Sequence, residues 1–85
     1  MEKSINESQK EFYECLKRKE EIEFTYNNDN YTIQPKGDQY EIWTESQGKI
    51  FTLNTPSEAL NTKYLNGKTF LELESEGKLT DITLF

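Results

Sequence analysis

An α+β domain is the fold class this sequence predicts: an N-terminal amphipathic helix packed on a mostly antiparallel sheet of four to five strands, with one or two short helices before a C-terminal strand. Three observations carry the prediction. Between Glu21 and Leu53, apolar and polar residues alternate in short runs separated by turn-forming clusters. Ahead of that region, Ser4 to Lys19 holds good helix formers without Gly or Pro. Beyond it, two threonine-led capping signatures precede a run rich in Thr, Leu and Ile. The turn clusters are too short to separate domains, so residues 1–85 are expected to form one.

In the first helix, Ile5, Phe12 and Leu16, with Cys15 alongside, fall on one narrow stripe suited to lying across a sheet. Lys17-Arg18-Lys19 near its end suits the negative pole of the helix dipole. The first strand, Glu21 to Tyr26, sends Ile22, Phe24 and Tyr26 to one face and Glu21, Glu23 and Thr25 to the other. Asn27-Asn28-Asp29-Asn30 then tolerates left-handed backbone, and Tyr31-Thr32-Ile33-Gln34 resumes the alternation, which predicts a hairpin. In Gln34-Pro35-Lys36-Gly37-Asp38, proline is expected to end ladder pairing and glycine to permit a turn.

The next strand, Tyr40 to Glu45, sets Tyr40, Ile42 and Thr44 on one face and Trp43 with Glu41 and Glu45 on the other. After a turn at Ser46-Gln47-Gly48-Lys49, the fourth strand, Ile50 to Asn54, has an ambiguous phase because Phe51 and Leu53 oppose Ile50. Thr55-Pro56-Ser57-Glu58 starts a helix in which Glu58 completes a capping box; it is expected to run to about Leu65 and exit through Asn66-Gly67. Thr69-Phe70-Leu71-Glu72 repeats the capping spacing and favours a helix ending at Gly77, with a strand as the alternative because the segment also alternates in part. Leu79 to Phe85 reads as a closing strand with Ile82 and Leu84 on one face.

Composition removes several function classes. The 85 residues contain no His, the commonest general base and metal ligand, and a single Cys, so neither an intramolecular disulfide nor a cysteine metal cluster can form. Cys15 lies on the expected buried stripe, which makes it a core thiol rather than a nucleophile. Gly67-Lys68-Thr69 has the tail of a phosphate-binding loop, yet position 62, where the motif requires Gly, is Thr62. Asn27-Asn28-Asp29-Asn30 offers one carboxylate without the spacing of a calcium loop. No catalytic residue, metal ligand or cofactor is therefore expected. Net charge is −6, and it is uneven: residues 1–19 carry four Glu against four Lys and Arg18, whereas residues 20–85 carry twelve Asp and Glu against five Lys. Such a surface disfavours direct nucleic-acid binding and phosphate-rich membranes. Met1-Glu2-Lys3-Ser4-Ile5 lacks the apolar segment of a signal peptide, so a soluble, cytoplasmic chain is the expectation.

The cadence of Glu21 to Tyr26 through Tyr31-Thr32-Ile33, then Ser57-Glu58-Ala59-Leu60 and Leu65-Asn66-Gly67-Lys68-Thr69, resembles small uncharacterised proteins encoded by Gram-positive bacteria and their phages. The resemblance spans about two thirds of the chain. It implies a compact α+β domain and a mobile-element origin, and it brings no catalytic or binding residue with it.

The feature left for function is the acidic face. Same-face strand neighbours lie about 7 Å apart, so Glu21, Glu23, Glu41 and Glu45 are expected to form a grid of negative charge around Trp43. Charge complementarity selects partners and speeds association, and an aromatic anchor supplies affinity. The expected function is a non-catalytic protein-binding module that docks this grid on a basic protein surface, including as a DNA-mimic inhibitor of a nucleic-acid enzyme. The alternative is a small assembly protein that forms a homodimer through an unpaired sheet edge, suggested by the C-terminal run.

Overall fold

The computed structural model describes residues 7–85, so the expected contributions of Ser4 and Ile5 to the first helix lie outside the described residues. In chain order the elements are α1 (Glu7–Lys17), β1 (Ile22–Tyr26), β2 (Asp29–Lys36), β3 (Gln39–Thr44), β4 (Gly48–Leu53), α2 (Pro56–Asn61), α3 (Phe70–Ser75) and β5 (Thr80–Leu84). The strands form one sheet in the order β4-β3-β2-β1-β5, with every neighbouring pair antiparallel. This is the α+β fold expected from the sequence, with five strands and two short helices before the last of them.

Local chemistry sets the hairpins. Tyr26 pairs with Asp29 across a two-residue turn in which Asn27 and Asn28 have φ of 55° and 65°. Positive φ at both positions gives the turn whose twist matches right-handed strands, and Asn tolerates that conformation. At the next turn the expectation for Pro35 is corrected. β2 continues through it, with Pro35 opposite Tyr40 and Lys36 opposite Gln39. The pairing of β2 with β1 goes no further than Ile33 opposite Ile22, so proline's missing N–H falls past the end of β1 and costs no ladder bond.

The ambiguous fourth strand is resolved by a bulge. Phe51 lies opposite Ile42 and Lys49 opposite Trp43, leaving Ile50 as the extra residue. Phe51 and Leu53 thereby take the core side, although Phe51 at this sheet edge remains 42% exposed.

α2 begins as expected, with the Thr55 hydroxyl accepting from Glu58 N at 3.0 Å. The Glu58 carboxylate reaches one residue further back than a capping box requires and accepts from Asn54 N at 2.9 Å. The helix does not reach Leu65. It ends at Asn61, and Thr62 is extended. Extended backbone there drops Tyr64 and Leu65 into the core, where the Tyr64 hydroxyl donates to the Ala59 carbonyl at 2.9 Å. Asn66 and Gly67, expected as a helix exit, instead close a tight turn between Leu65 and Lys68.

α3 carries a complete capping box: Thr69 Oγ1 accepts from Glu72 N at 3.0 Å, and the Glu72 carboxylate accepts from Thr69 N at 2.9 Å. Its exit is the left-handed Gly77, with Lys78 N bonded to Leu73 O and Gly77 N to Glu74 O. The capping alternative to a strand is thus the one the chain adopts. α1 exits by the same pattern, Glu20 N to Cys15 O and Lys19 N to Leu16 O, but with Lys19 in the left-handed position at φ 64°. Its ammonium lies 4.9 Å above the Tyr40 ring, a contact that offsets part of the cost of a side chain there.

An aromatic cluster joins the layers. The Phe70 ring meets Phe12 of α1 and Phe24 of β1 edge-to-face, each at 5.0 Å between centroids, and Tyr31 stacks on Phe24 at 5.1 Å. Leu16, Ile22, Ile33, Ile42, Leu60 and Leu65 are fully buried around it. Gln9, also buried, fastens α1 to α3 by donating to the Leu71 carbonyl and the Glu74 carboxylate. Phe70→Ala should lower unfolding stability in urea by about 3–5 kcal/mol, and Phe70→Leu by clearly less, because leucine refills part of the cavity. Asn28→Gly should raise stability by about 0.5 kcal/mol in the same titration, since glycine takes positive φ without a Cβ penalty.

Candidate functional site

All three helices contribute to the single apolar cluster on one side of the sheet. Among the described residues, those that alternate to the other side have no element above them. One row runs across all five strands there: Thr83, Glu23, Thr32, Trp43 and Lys49, each in register with the next. Beside this row lies a shallow groove of about 530 Å³, open to solvent and bordered by Glu23, Thr25, Asn30, Trp43, Glu45 and Asp81.

Trp43 is the groove's aromatic wall and is 38% exposed. Its orientation is set by one hydrogen bond: the indole Nε1–H donates to Glu41 Oε1 at 2.9 Å. The other Glu41 oxygen takes the Lys49 ammonium at 3.5 Å, and the Glu41 side chain is only 12% exposed. The Trp43 hydrogen bond first, then Lys49, holds the Glu41 carboxyl below its usual range. Glu45 is positioned by a short relay in which the Thr25 hydroxyl donates to Asn30 Oδ1 and Asn30 Nδ2 donates to Glu45 Oε1, each at 2.9 Å. Among the described residues, no ion pair engages Glu23, Glu45 or Asp81.

Of the residues singled out in the sequence, Trp43, Glu23 and Glu45 come together at the groove. Glu41 serves the indole from the adjoining position. Glu21 precedes β1 and is not on the groove's border; its carbonyl accepts from Phe85 N at 2.9 Å. Asp81 is the addition that sequence reasoning missed. It is out of phase with Ile82 and Leu84, which signals the outer face, but nothing local indicates that β5 pairs with β1 and so brings Asp81 near Glu23. A bulge in that pairing, with Asp81 at φ 53°, completes the placement.

No protein family, characterised protein or solved structure matches the chain. The site is read from its own chemistry.

Other sequence features resolve into structural roles. Lys17 lies 5.6 Å from the Tyr13 ring centroid, Arg18 pairs with Glu20 at 3.0 Å, and Lys19 covers Tyr40, so each member of the basic triplet has a partner at the end of α1. Cys15 is fully buried; burial, then the neighbouring Glu20, pushes its thiol up, away from nucleophilic use. Among the described residues, no cluster of three or more His, Cys, Asp or Glu could hold a metal ion, and no helix is long and apolar enough to cross a membrane.

The Glu41 clamp has a pH signature. Its carboxyl is depressed in the fold, so the clamp's contribution is present above the pKa of an unfolded glutamate, about 4.3, and is lost as pH falls through the lower folded value. Emission from the single tryptophan should follow that loss in acid titration, with a midpoint below that of an ordinary glutamate. Glu41→Gln should remove this component while leaving the far-ultraviolet circular dichroism unchanged.

Proposed function

We propose that this chain is a non-catalytic protein-binding module that docks its bare sheet face on a basic surface of a partner protein. The observation that carries the reading is an exposed indole, fixed in orientation, beside three carboxylates without an ion-pair partner among the described residues. Such a face attracts Lys- and Arg-bearing surfaces at long range, and the aromatic group supplies apolar area at contact. A chain without histidine has little means of general acid–base work near neutral pH, which supports binding over catalysis. The resemblance to small proteins of Gram-positive bacteria and their phages suggests a cytoplasmic accessory role toward a host protein. In the narrower form the partner is a nucleic-acid enzyme, and the carboxylates stand where phosphates would lie.

Self-association through a sheet edge is the weaker reading. Exposed Phe51 on β4 and Phe85 after β5 favour it, but both edge strands are bulged and each carries a charged residue, Lys49 and Asp81. Bulges and charges are the devices that keep sheet edges from pairing.

Affinity capture from host extract with the wild-type chain and a Glu23→Gln, Glu45→Gln, Asp81→Asn variant tests the docking face. Capture should be strong at low salt, fall at high salt, and weaken by about tenfold or more in the variant, which corresponds to about 1.4 kcal/mol. A partner retained equally by the variant would overturn the reading. Displacement of DNA from the captured protein in a gel-shift assay separates the DNA-mimic form from docking elsewhere.

A further inference from the structure

We infer that the groove selects arginine over lysine, with a partner's guanidinium stacked on the Trp43 indole and its N–H groups directed at the flanking carboxylates. The inference rests on the docking reading above and specifies which side chain of the partner the face takes. Geometry and charge complementarity together point to it. The indole is pinned by its N–H to Glu41, so its exposed surface is held for a planar partner rather than free to rotate. The cation nearest to it in register, Lys49, is occupied by Glu41 and is not on the groove's border. Among the described residues, the groove's charged lining is made only of acceptors, Glu23, Glu45 and Asp81.

The amide of Asn30 is already committed to Glu45, and the hydroxyl of Thr25 to Asn30. Among the charged groups of the groove, what remains unmet is acceptor capacity, and a guanidinium presents five donors in one plane. Arginine also stacks on aromatic faces and sheds water more readily than an ammonium, so an open groove bordered by an exposed indole distinguishes the two cations. The carboxylates add to the preference through the guanidinium's paired donors, and stacking on the indole supplies the larger part of it.

Capped tetra-arginine, tetra-lysine and tetra-citrulline peptides are the probes, titrated at low salt with Trp43 emission and backbone amide shifts as readouts. Tetra-arginine should bind roughly fivefold more tightly than tetra-lysine and perturb Trp43 emission, and tetra-citrulline should not bind. Trp43→Leu, followed by amide shifts, should lose most of the arginine preference, and Trp43→Phe should keep a larger part of it. Equal binding of the two peptides by the wild-type chain, or an intact arginine preference in Trp43→Leu, would overturn the stacking inference while leaving the docking face standing. Undiminished binding of both cationic peptides by the Glu23→Gln, Glu45→Gln, Asp81→Asn variant would overturn the docking face itself. Circular dichroism of each variant confirms that the fold is retained.

Discussion

The contact of Phe70 with Phe12 and Phe24 is the constraint on which the rest of the arrangement depends. It brings a residue from each of α1, α3 and β1 to one point, with both ring pairs edge-to-face. Such pairs add about 0.5–1.5 kcal/mol beyond the area they bury, a sizeable share of the stability of a small domain. The topology sets the stage for the contact. The chain leaves the sheet at the β4 edge and re-enters at the opposite edge as β5, so the segment carrying α2 and α3 must cross the sheet. It crosses on the side where α1 already lies, and among the described residues nothing covers the other side.

That one-sided covering explains why the acidic excess has a surface to occupy. Residues 20–85 hold the negative charge, and the strands place part of it on the bare side by alternation alone. The return of β5 to β1 adds a contribution that alternation within one strand cannot supply. Asp81 comes to the groove because the last strand pairs with the first, and the bulge there both delivers its carboxylate and blunts the sheet edge.

What was legible in the sequence was local. The Asn27-Asn28 turn, the Thr55 and Thr69 caps, the Gly77 exit and the phase of Trp43 each depend on a few neighbouring residues whose chemistry admits few alternatives. What was not legible depended on tertiary context. Pro35 remains in its strand because β1 has already ended beside it. α2 stops at Asn61 because Tyr64 and Leu65 serve the core only if the backbone extends before them. Asn66-Gly67 carried a correct signal for left-handed backbone, but the same dipeptide serves a helix exit and a tight turn. Of the expected carboxylate grid, Glu23 flanks the groove because it pairs with Thr32 beside Trp43, and Glu45 because it bonds to Asn30, whereas Glu21 stands before β1 at the end away from Asn30.

A net charge of −6 lies within the range of about 2 to 8 units that is ordinary for a small domain, so charge alone does not mark this face. The indole does, and its exposure is imposed by the core. Tyr40, Ile42 and Thr44 are buried on the inner side of β3, and a slip of one residue would exchange them for Glu41, Trp43 and Glu45. Burying two carboxylates is far more costly than exposing one aromatic ring, so the register is fixed and position 43 faces outward whatever residue occupies it. Threonine or lysine at that position would satisfy the strand and leave the core unchanged. Packing of the core therefore accounts for where the side chain at position 43 points, but not for its being tryptophan, and that choice is what the surface chemistry has to explain.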